Sequence, residues 1–331
     1  VLDARPLREL HGVRWQRAFN QDSGAPIVDG DTLILGTESG RLHALDVATG
    51  SDRWTYDAGT VLFAGAAIAD GIVYNGSLSG GVMAINVGTG AEVWRVRTPP
   101  GTSGVPLIVQ DLLLVASRSG FHALDLATGA ERWRLDDAIT NTYGSAASDG
   151  QTVWLGVDGT LHALDVATGS ERWSVAGASS WIGFAVVDGA LIASGMDGAL
   201  SALEPATGEQ TWLFQGGDAV WSSPVVANGV VFAGNMDRFV YAVDLETGAE
   251  RWRFETEDWA IADPIMAGGV LYVGVGTHLA EEGERPLYAL DASTGALLWS
   301  FRANGLLHST PWVADGVVYL TTTAGDLYAL E

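Results

Sequence analysis

Few residues in this chain are equipped for chemistry. Its 331 residues include no Cys and six His, which removes thiolate nucleophiles, disulfides and thiolate metal sites. His43, His122 and His162 each stand directly before Ala-Leu-Asp or its partner copies and read as structural. His308 stands apart, and is the candidate general base or polar ligand contact. Asp263, just before Pro264, replaces a small residue found there elsewhere; a carboxylate at that point could hold a cation or accept a bond from a Ser such as Ser223. Three residues back from Pro26, Pro106, Pro224, Pro264, Pro311 and their equivalents stand Ser23, Phe63, Ser103, Tyr143, Trp181, Trp221, Ile261 and His308, with Asp22 and Trp259 beside them. Aromatic faces for stacking and a few polar groups suit a small molecule or a peptide. Rings that merely plug a channel are the alternative. Arg41, Arg118 and Arg238 recur in matching loops and could form a partial cationic rim for a carboxylate.

The elements that would carry these residues follow from an internal repeat. Trp15, Trp54, Trp94, Trp133, Trp173, Trp212, Trp252 and Trp299 recur at 39 or 40 residues, with one step of 47. Seven of them follow a Thr-Gly pair in the unit A-x-[DEN]-x-x-T-G-x-x-x-W. Within a unit, apolar runs such as Thr32 to Gly36 lie between turn signals such as Asp29-Gly30 and Ser39-Gly40. Four short strands fit about 40 residues, and helical periodicity is sustained nowhere. The expectation is an all-β, eight-bladed β-propeller of four-stranded antiparallel blades, a single domain over 1–331. After Trp299 the chain supplies strands around His308 to Val313, Val317 to Thr321 and Leu327 to Leu330, then ends where a Thr-Gly turn and Trp strand should follow. Residues 13–19, with the orphan Trp15, are expected to complete that last blade and close the ring. Residues 1–12 are then an N-terminal extension. The long step is an insertion, Thr277 to Pro286, carrying His278, Glu281, Glu282, Glu284 and Arg285 between second and third strands; loops that break a repeat often carry function.

Composition excludes several partners. Forty acidic residues against 17 basic ones, all Arg, give a net charge of −23, a field that repels nucleic acid. No apolar run is long enough for a membrane span. Without Lys there is no phosphate-binding P-loop, and no zincin, nucleophile-elbow or kinase signature occurs. The chain begins at Val1, so a removed signal or a longer parent protein is expected, with an extracytoplasmic home: periplasmic, secreted, or the extracellular sensor domain of a receptor or kinase.

The unit A-x-D-x-x-T-G-x-x-x-W resembles the tryptophan-docking motif of pyrroloquinoline quinone (PQQ)-type repeats, seen in eight-bladed quinoprotein dehydrogenases and BamB-type assembly lipoproteins. The resemblance covers essentially the whole chain. It implies that each Trp packs between neighbouring blades, while the Asp and Thr-Gly fix a turn by side-chain-to-backbone hydrogen bonds; Asn86 and Glu204 depart from the Asp. It also raises PQQ with Ca²⁺ as a cofactor. Yet the dehydrogenases are much longer, many carry adjacent cysteines that this chain lacks, and no residue matches their calcium ligands. The reading favoured from the sequence is a non-catalytic, monomeric binding platform for a protein or peptide. The alternative is a small-molecule or quinone-type site in which Phe63, Tyr143, Trp181, Trp221 and Trp259 stack on the ligand and His308, Asp263 or Arg118 hold its polar groups. A non-redox enzyme with His308 as base comes third.

Overall fold

The computed structural model describes residues 4–62, 65–99, 101, 104–117, 120–136, 146–157, 159–176, 181–187, 189–276 and 283–331. It is an all-β, eight-bladed β-propeller of four-stranded antiparallel blades. In blade one the strands are Ile27–Asp29, Thr32–Gly36, Arg41–Asp46 and Asp52–Asp57. Two compact units divide the chain. Residues 21–174 hold blades one to four, and residues 1–20 with 175–331 hold blades five to eight. In the second unit the inner strands Trp181–Val187, Val225–Ala227, Ile265–Ala267 and Trp312–Ala314 lie side by side. Among the described residues no helix is long and apolar enough to cross a membrane.

Burial follows position within the blade. Second strands such as Thr32–Gly36 are buried along their whole length, because blades pack on both faces. Outer strands such as Asp52–Asp57 alternate between exposed and half-buried residues. Five inner strands begin immediately after proline, which has no N–H for the ladder, and those of blades two and four follow Ala66 and Ala146. Pro224, Pro264 and Pro311 precede strands of three residues. Blade five has Phe184 instead, and its inner strand runs back to Trp181, with a bulge between Trp181 and Gly183. The strand expected from His308 begins only at Trp312.

The repeat motif forms one hydrogen-bonded device. The indole N–H of Trp54 donates to the Val87 carbonyl of the next blade at 2.7 Å, and Trp94, Trp133, Trp212 and Trp252 do the same to Leu126, Val166, Leu245 and Ala292. Each ring lies against the glycine of the neighbouring Thr-Gly turn. A Cβ on Gly248 would sit 2.8 Å from the Trp212 ring, and its φ of +72° is left-handed, so glycine is required twice over. The Asp opens the turn: Asp244 Oδ1 accepts the Glu246 and Thr247 N–H groups and the Thr247 hydroxyl, at 3.1, 2.9 and 2.8 Å. Asn86 reproduces the bonds to Thr89 at 2.9 Å. At Glu204 the main chain and Thr207 close the turn, Gly208 N–H donating to the Glu204 carbonyl at 2.8 Å and Glu209 N–H to Thr207 Oγ1 at 3.2 Å.

Blade eight departs from the pattern as expected in one respect and not in another. Val13–Ala18 pairs with Asp326–Leu330 and completes the sheet. The preceding segment is no loose extension. Its Leu7 carbonyl takes the indole N–H of Trp299 at 2.8 Å, and Tyr272 Oη both accepts from Leu7 N–H at 2.7 Å and donates to the Leu7 carbonyl at 3.1 Å. The segment supplies the acceptor that a docking turn gives elsewhere, and Leu7 itself is buried.

Removing residues 1–9 leaves the Trp299 and Tyr272 polar groups without these partners. Unsatisfied buried donors cost about 1–3 kcal/mol each, so thermal unfolding of the truncated chain should occur several degrees below the full chain, with the all-β circular dichroism retained. A second expectation concerns acid. Arg132 and Arg251, then the Thr128 and Thr247 hydroxyls, hold Asp125 and Asp244 down at about 2, below the ordinary 3.8. Carboxylates lowered on folding add stability above the unfolded value and lose it as pH falls through the folded one. Equilibrium unfolding between pH 5 and pH 2 should therefore show stability declining from about pH 4 downward, and Asp244→Asn should flatten part of that decline.

Candidate functional site

Within the second unit, the candidate residues sit where the chain leads into the inner strands. Trp181 opens its strand opposite Gly195, while Trp221, Ile261 and His308 each lie four residues before theirs. All four are half-buried, as is Trp259. Trp259 is oriented by its main chain: its N–H donates to Asp258 Oδ1 at 2.8 Å and its carbonyl accepts from Gly276 N–H at 3.0 Å. The indole nitrogen of Trp181 is buried and meets no acceptor among the described residues.

Beneath this rim, hydroxyls brace the inner strands, and one of them, Ser194, reaches from blade five to blade six. Ser194 Oγ accepts from Gly183 N–H and donates to the Ser222 carbonyl, both at 3.0 Å. Ser222 Oγ accepts from Gly234 N–H at 3.0 Å, and the Ser309 and Thr321 hydroxyls meet at 2.6 Å. The approach is close enough that a Cβ on Gly183 would lie 2.4 Å from Ser223 Cα. The rim tryptophans thus stand on a rigid frame.

Asp263 belongs to this frame. Its Oδ1 accepts the Ser223 N–H at 2.6 Å, the Ser partner anticipated from sequence. Burial pushes its carboxyl above 3.8, and the Ser223 N–H and hydroxyl pull it back only in part. Among the described residues no group of three or more His, Asp or Glu is arranged to hold a metal. A single carboxylate whose Oδ1 already takes the Ser223 N–H does not match the several oxygen donors that Ca²⁺ demands, so the described residues do not supply a donor set for a Ca²⁺–quinone pair.

The other sequence candidates divide into three groups. Phe63, Ser103, Tyr143 and Arg118 lie outside the described residues, as do His278, Glu281 and Glu282. His43, His122 and His162 are blade structure, each facing an acid on the outer strand: Asp52 at 3.4 Å, Glu131 at 2.9 Å and Glu171 at 2.7 Å. Arg41 and Arg238 are exposed and form no ion pair among the described residues. Arg238 holds φ at +70°, where the equivalent turns use Gly40, Gly80, Gly198 and Gly325; a bulky residue is kept there against strain. The insertion is not all loop. Glu284–Asp291 is one strand of eight residues, because Glu284, Arg285 and Pro286 pair with Asn304, Ala303 and Arg302. Arg285 is accordingly pinned, its Nε 3.1 Å from Asp258 Oδ2 with both side chains mostly buried. Sequence reasoning missed this pair; an Asp next to a rim Trp, opposite an Arg in the one irregular hairpin, was the available signal.

The fold and the docking device define a PQQ-type repeat propeller. The chain belongs to the family described as outer membrane protein assembly factor BamB, whose model matches residues 4–56, 56–180, 157–260, 196–280 and 237–331. Its relatives include BamB of Alkalilimnicola ehrlichii, 29% identical over 125 residues, which are 34% of this chain and 32% of that protein. They also include the quinohemoprotein alcohol dehydrogenase of Comamonas testosteroni, 26% identical over 160 residues, 40% of this chain and 22% of the enzyme. The chain thus matches a third or less of the length of either. In structure it is similar to BamB from Moraxella catarrhalis, with a TM-score of 0.80 and 23% identity over 97% of this chain and 99% of that one, a likeness of fold.

The raised Asp263 carboxyl gives a test of its role. A carboxyl raised on folding costs stability once pH exceeds its ordinary value. Asp263→Asn keeps an oxygen for Ser223 N–H without the charge, and should melt at or above the wild-type temperature at pH 7, the gap closing toward pH 4. A variant several degrees less stable at pH 7 would mean that the charge is compensated after all.

Proposed function

We propose that this propeller is a non-catalytic docking platform that takes up a protein or peptide at the rim where its inner strands begin. The observation that carries the reading is the trio of half-buried tryptophans, Trp181, Trp221 and Trp259, set on a hydroxyl-braced frame. Rigid, partly exposed aromatic anchors are what protein interfaces use as hot spots. The description of the family as an assembly factor supports a protein partner, and with it a place outside the cytoplasm, at the cell envelope. The propeller would act as a monomer, alone or as the sensing part of a larger protein.

A second reading has the quinoprotein relatives in its favour: a quinone or other small ring stacking on the same tryptophans, with His308 as a polar contact. The two readings separate by titration. With PQQ and Ca²⁺ added to the purified protein, tryptophan emission should follow inner-filter loss alone, equally in wild type and Trp181→Ala. Saturable quenching that weakens in the variant would replace the platform reading with a cofactor site. In parallel, Trp181→Ala and Trp221→Ala should keep their melting temperatures within a few degrees. Each should lower affinity for a purified envelope partner by about 2 kcal/mol, the usual hot-spot loss; unchanged affinity in both would remove the rim from the interface.

A further inference from the structure

The first unit holds a cleft that the rim does not use. About 520 Å³ opens between the segment Ala58-Gly59-Thr60 that leaves blade one, the Ser77–Gly81 hairpin of blade two, and Arg95 and Arg97 at the end of that blade's outer strand. Two groups there break the repeat.

The first is Ser77. Three before the hairpin glycine, or before Arg238 in its place, stand Thr37, Ser77, Ser117, Gly195, Asn235 and Thr322, and in four of these the side chain closes its own turn. Thr37 Oγ1 donates to the Arg41 carbonyl at 3.1 Å, Ser117 Oγ to the Gly120 carbonyl at 3.3 Å, and Asn235 Oδ1 and Thr322 Oγ1 accept the N–H groups of Asp237 and Asp326 at 2.8 and 3.2 Å. Ser77 is 1% exposed, and its Oγ meets no partner among the described residues. A buried hydroxyl left unsatisfied is a cost that a bound polar group removes.

The second is Arg97. Three residues after the docking tryptophan, other blades carry Ala18, Asp57, Asp136, Ala176, Gln215, Glu255 and Arg302. Arg302 is paired with Glu257 at 2.8 Å. Arg97 is exposed and, among the described residues, has no ion pair, in a chain with 40 acids for 17 arginines. Its neighbour Arg95 is already held by Glu92 at 3.1 Å, the Tyr56 hydroxyl and the Ala58 carbonyl at 3.1 Å. The cleft therefore offers one guanidinium without a carboxylate, a buried hydroxyl, and the Thr60 hydroxyl, which accepts from Ser79 at 2.6 Å and has its own proton to donate.

We propose that this cleft binds a single carboxylate carried on an apolar body, with Arg97 gripping the carboxylate and Ser77 and Thr60 completing its hydrogen bonds. Arg presents a planar fork that matches a carboxylate. One free positive charge balances one negative charge, and the net charge of −23 penalises a phosphate dianion more heavily. Ala58, Met83 and Val96 in the cleft lining supply apolar contact, and the volume exceeds what a bare carboxylate fills. The carboxylate could belong to a free small acid or to the C-terminus of a peptide. None of the described cleft residues belongs to the tryptophan rim, so the inference stands whether or not that rim docks a protein.

The test is calorimetric titration with N-acetyl-leucine, N-acetyl-leucinamide, an acetylated hexapeptide ending in Leu with a free carboxylate, and inorganic phosphate. The expected result is saturable binding of N-acetyl-leucine, at least tenfold weaker or absent for the amide and for phosphate. Arg97→Gln should weaken it at least tenfold, and Ser77→Ala severalfold. Ser77→Ala should melt at or above the wild-type temperature, because it removes an unsatisfied hydroxyl; a hydroxyl with a purely structural role would lower it. A hexapeptide at least tenfold tighter than N-acetyl-leucine identifies a peptide end as the source, and equal affinity a small acid; both support the site. No saturable binding to the wild type, equal binding of the amide, tighter binding of phosphate, or indifference to Arg97→Gln would each overturn it.

Discussion

One hydrogen bond, from a tryptophan indole to a main-chain carbonyl of the neighbouring blade, organises this protein. To reach that carbonyl the ring must lie flat on the intervening turn, so the turn needs glycine, for want of a Cβ and for its left-handed φ. The turn needs an opening side chain, so Asp gathers two N–H groups and the Thr hydroxyl. The Asp is charged, so an Arg seven residues on clamps it, as Arg251 clamps Asp244 at 2.6 Å. Each letter of the motif is a consequence of the one before. None of the exposed ion pairs is strong alone, but repetition makes the set a frame.

The N-terminal segment shows which part of the device is essential. Leu7 offers Trp299 no Thr-Gly turn and no Asp, only a correctly placed carbonyl. Arg8 even approaches Asp291 Oδ2 at 3.7 Å, where copies of the repeat place the clamping Arg from within the blade. The donor and its acceptor are preserved while the supporting chemistry is exchanged. That substitution was not legible in the sequence, because a main-chain carbonyl has no residue signature; only the missing Thr-Gly turn after Trp299 hinted that something must take its place.

Legibility elsewhere followed the same division. The strands, turns and blade count could be read because each is written seven times in side-chain types. The rim could be placed in register by its five prolines, but the longer inner strand of blade five could not be read: Ala66 and Ala146 also replace Pro, and their strands stay short. What those rim residues touch could not be read, since neighbours across blades are set by packing between segments some 40 residues apart. Asp263 could be suspected of meeting Ser223; that the bond runs to the Ser223 main chain required coordinates. Arg285 looked like loop and proved to be strand because the hairpin ladder runs on past the repeat's normal end.

Departures from a repeat therefore fall into two physical kinds. Asp263 and Arg285 break the pattern and are answered within the fold, one by a main-chain N–H and the other by Asp258. Their departures are mechanical. Ser77, Arg97 and Arg238 break it and, among the described residues, are not answered: a buried hydroxyl, an uncompensated guanidinium, and an arginine held where glycine belongs. In a chain with 40 acids for 17 arginines, the described residues place no carboxylate in an ion pair with Arg97. Charges more than about 8 Å away are screened at physiological salt, so the surrounding negative field does not neutralise such a group locally; it only thins the supply of multiply charged anions. Where the frame leaves a polar group of a cleft unanswered among the described residues, as at Ser77 and Arg97, that group is the one free to meet a ligand.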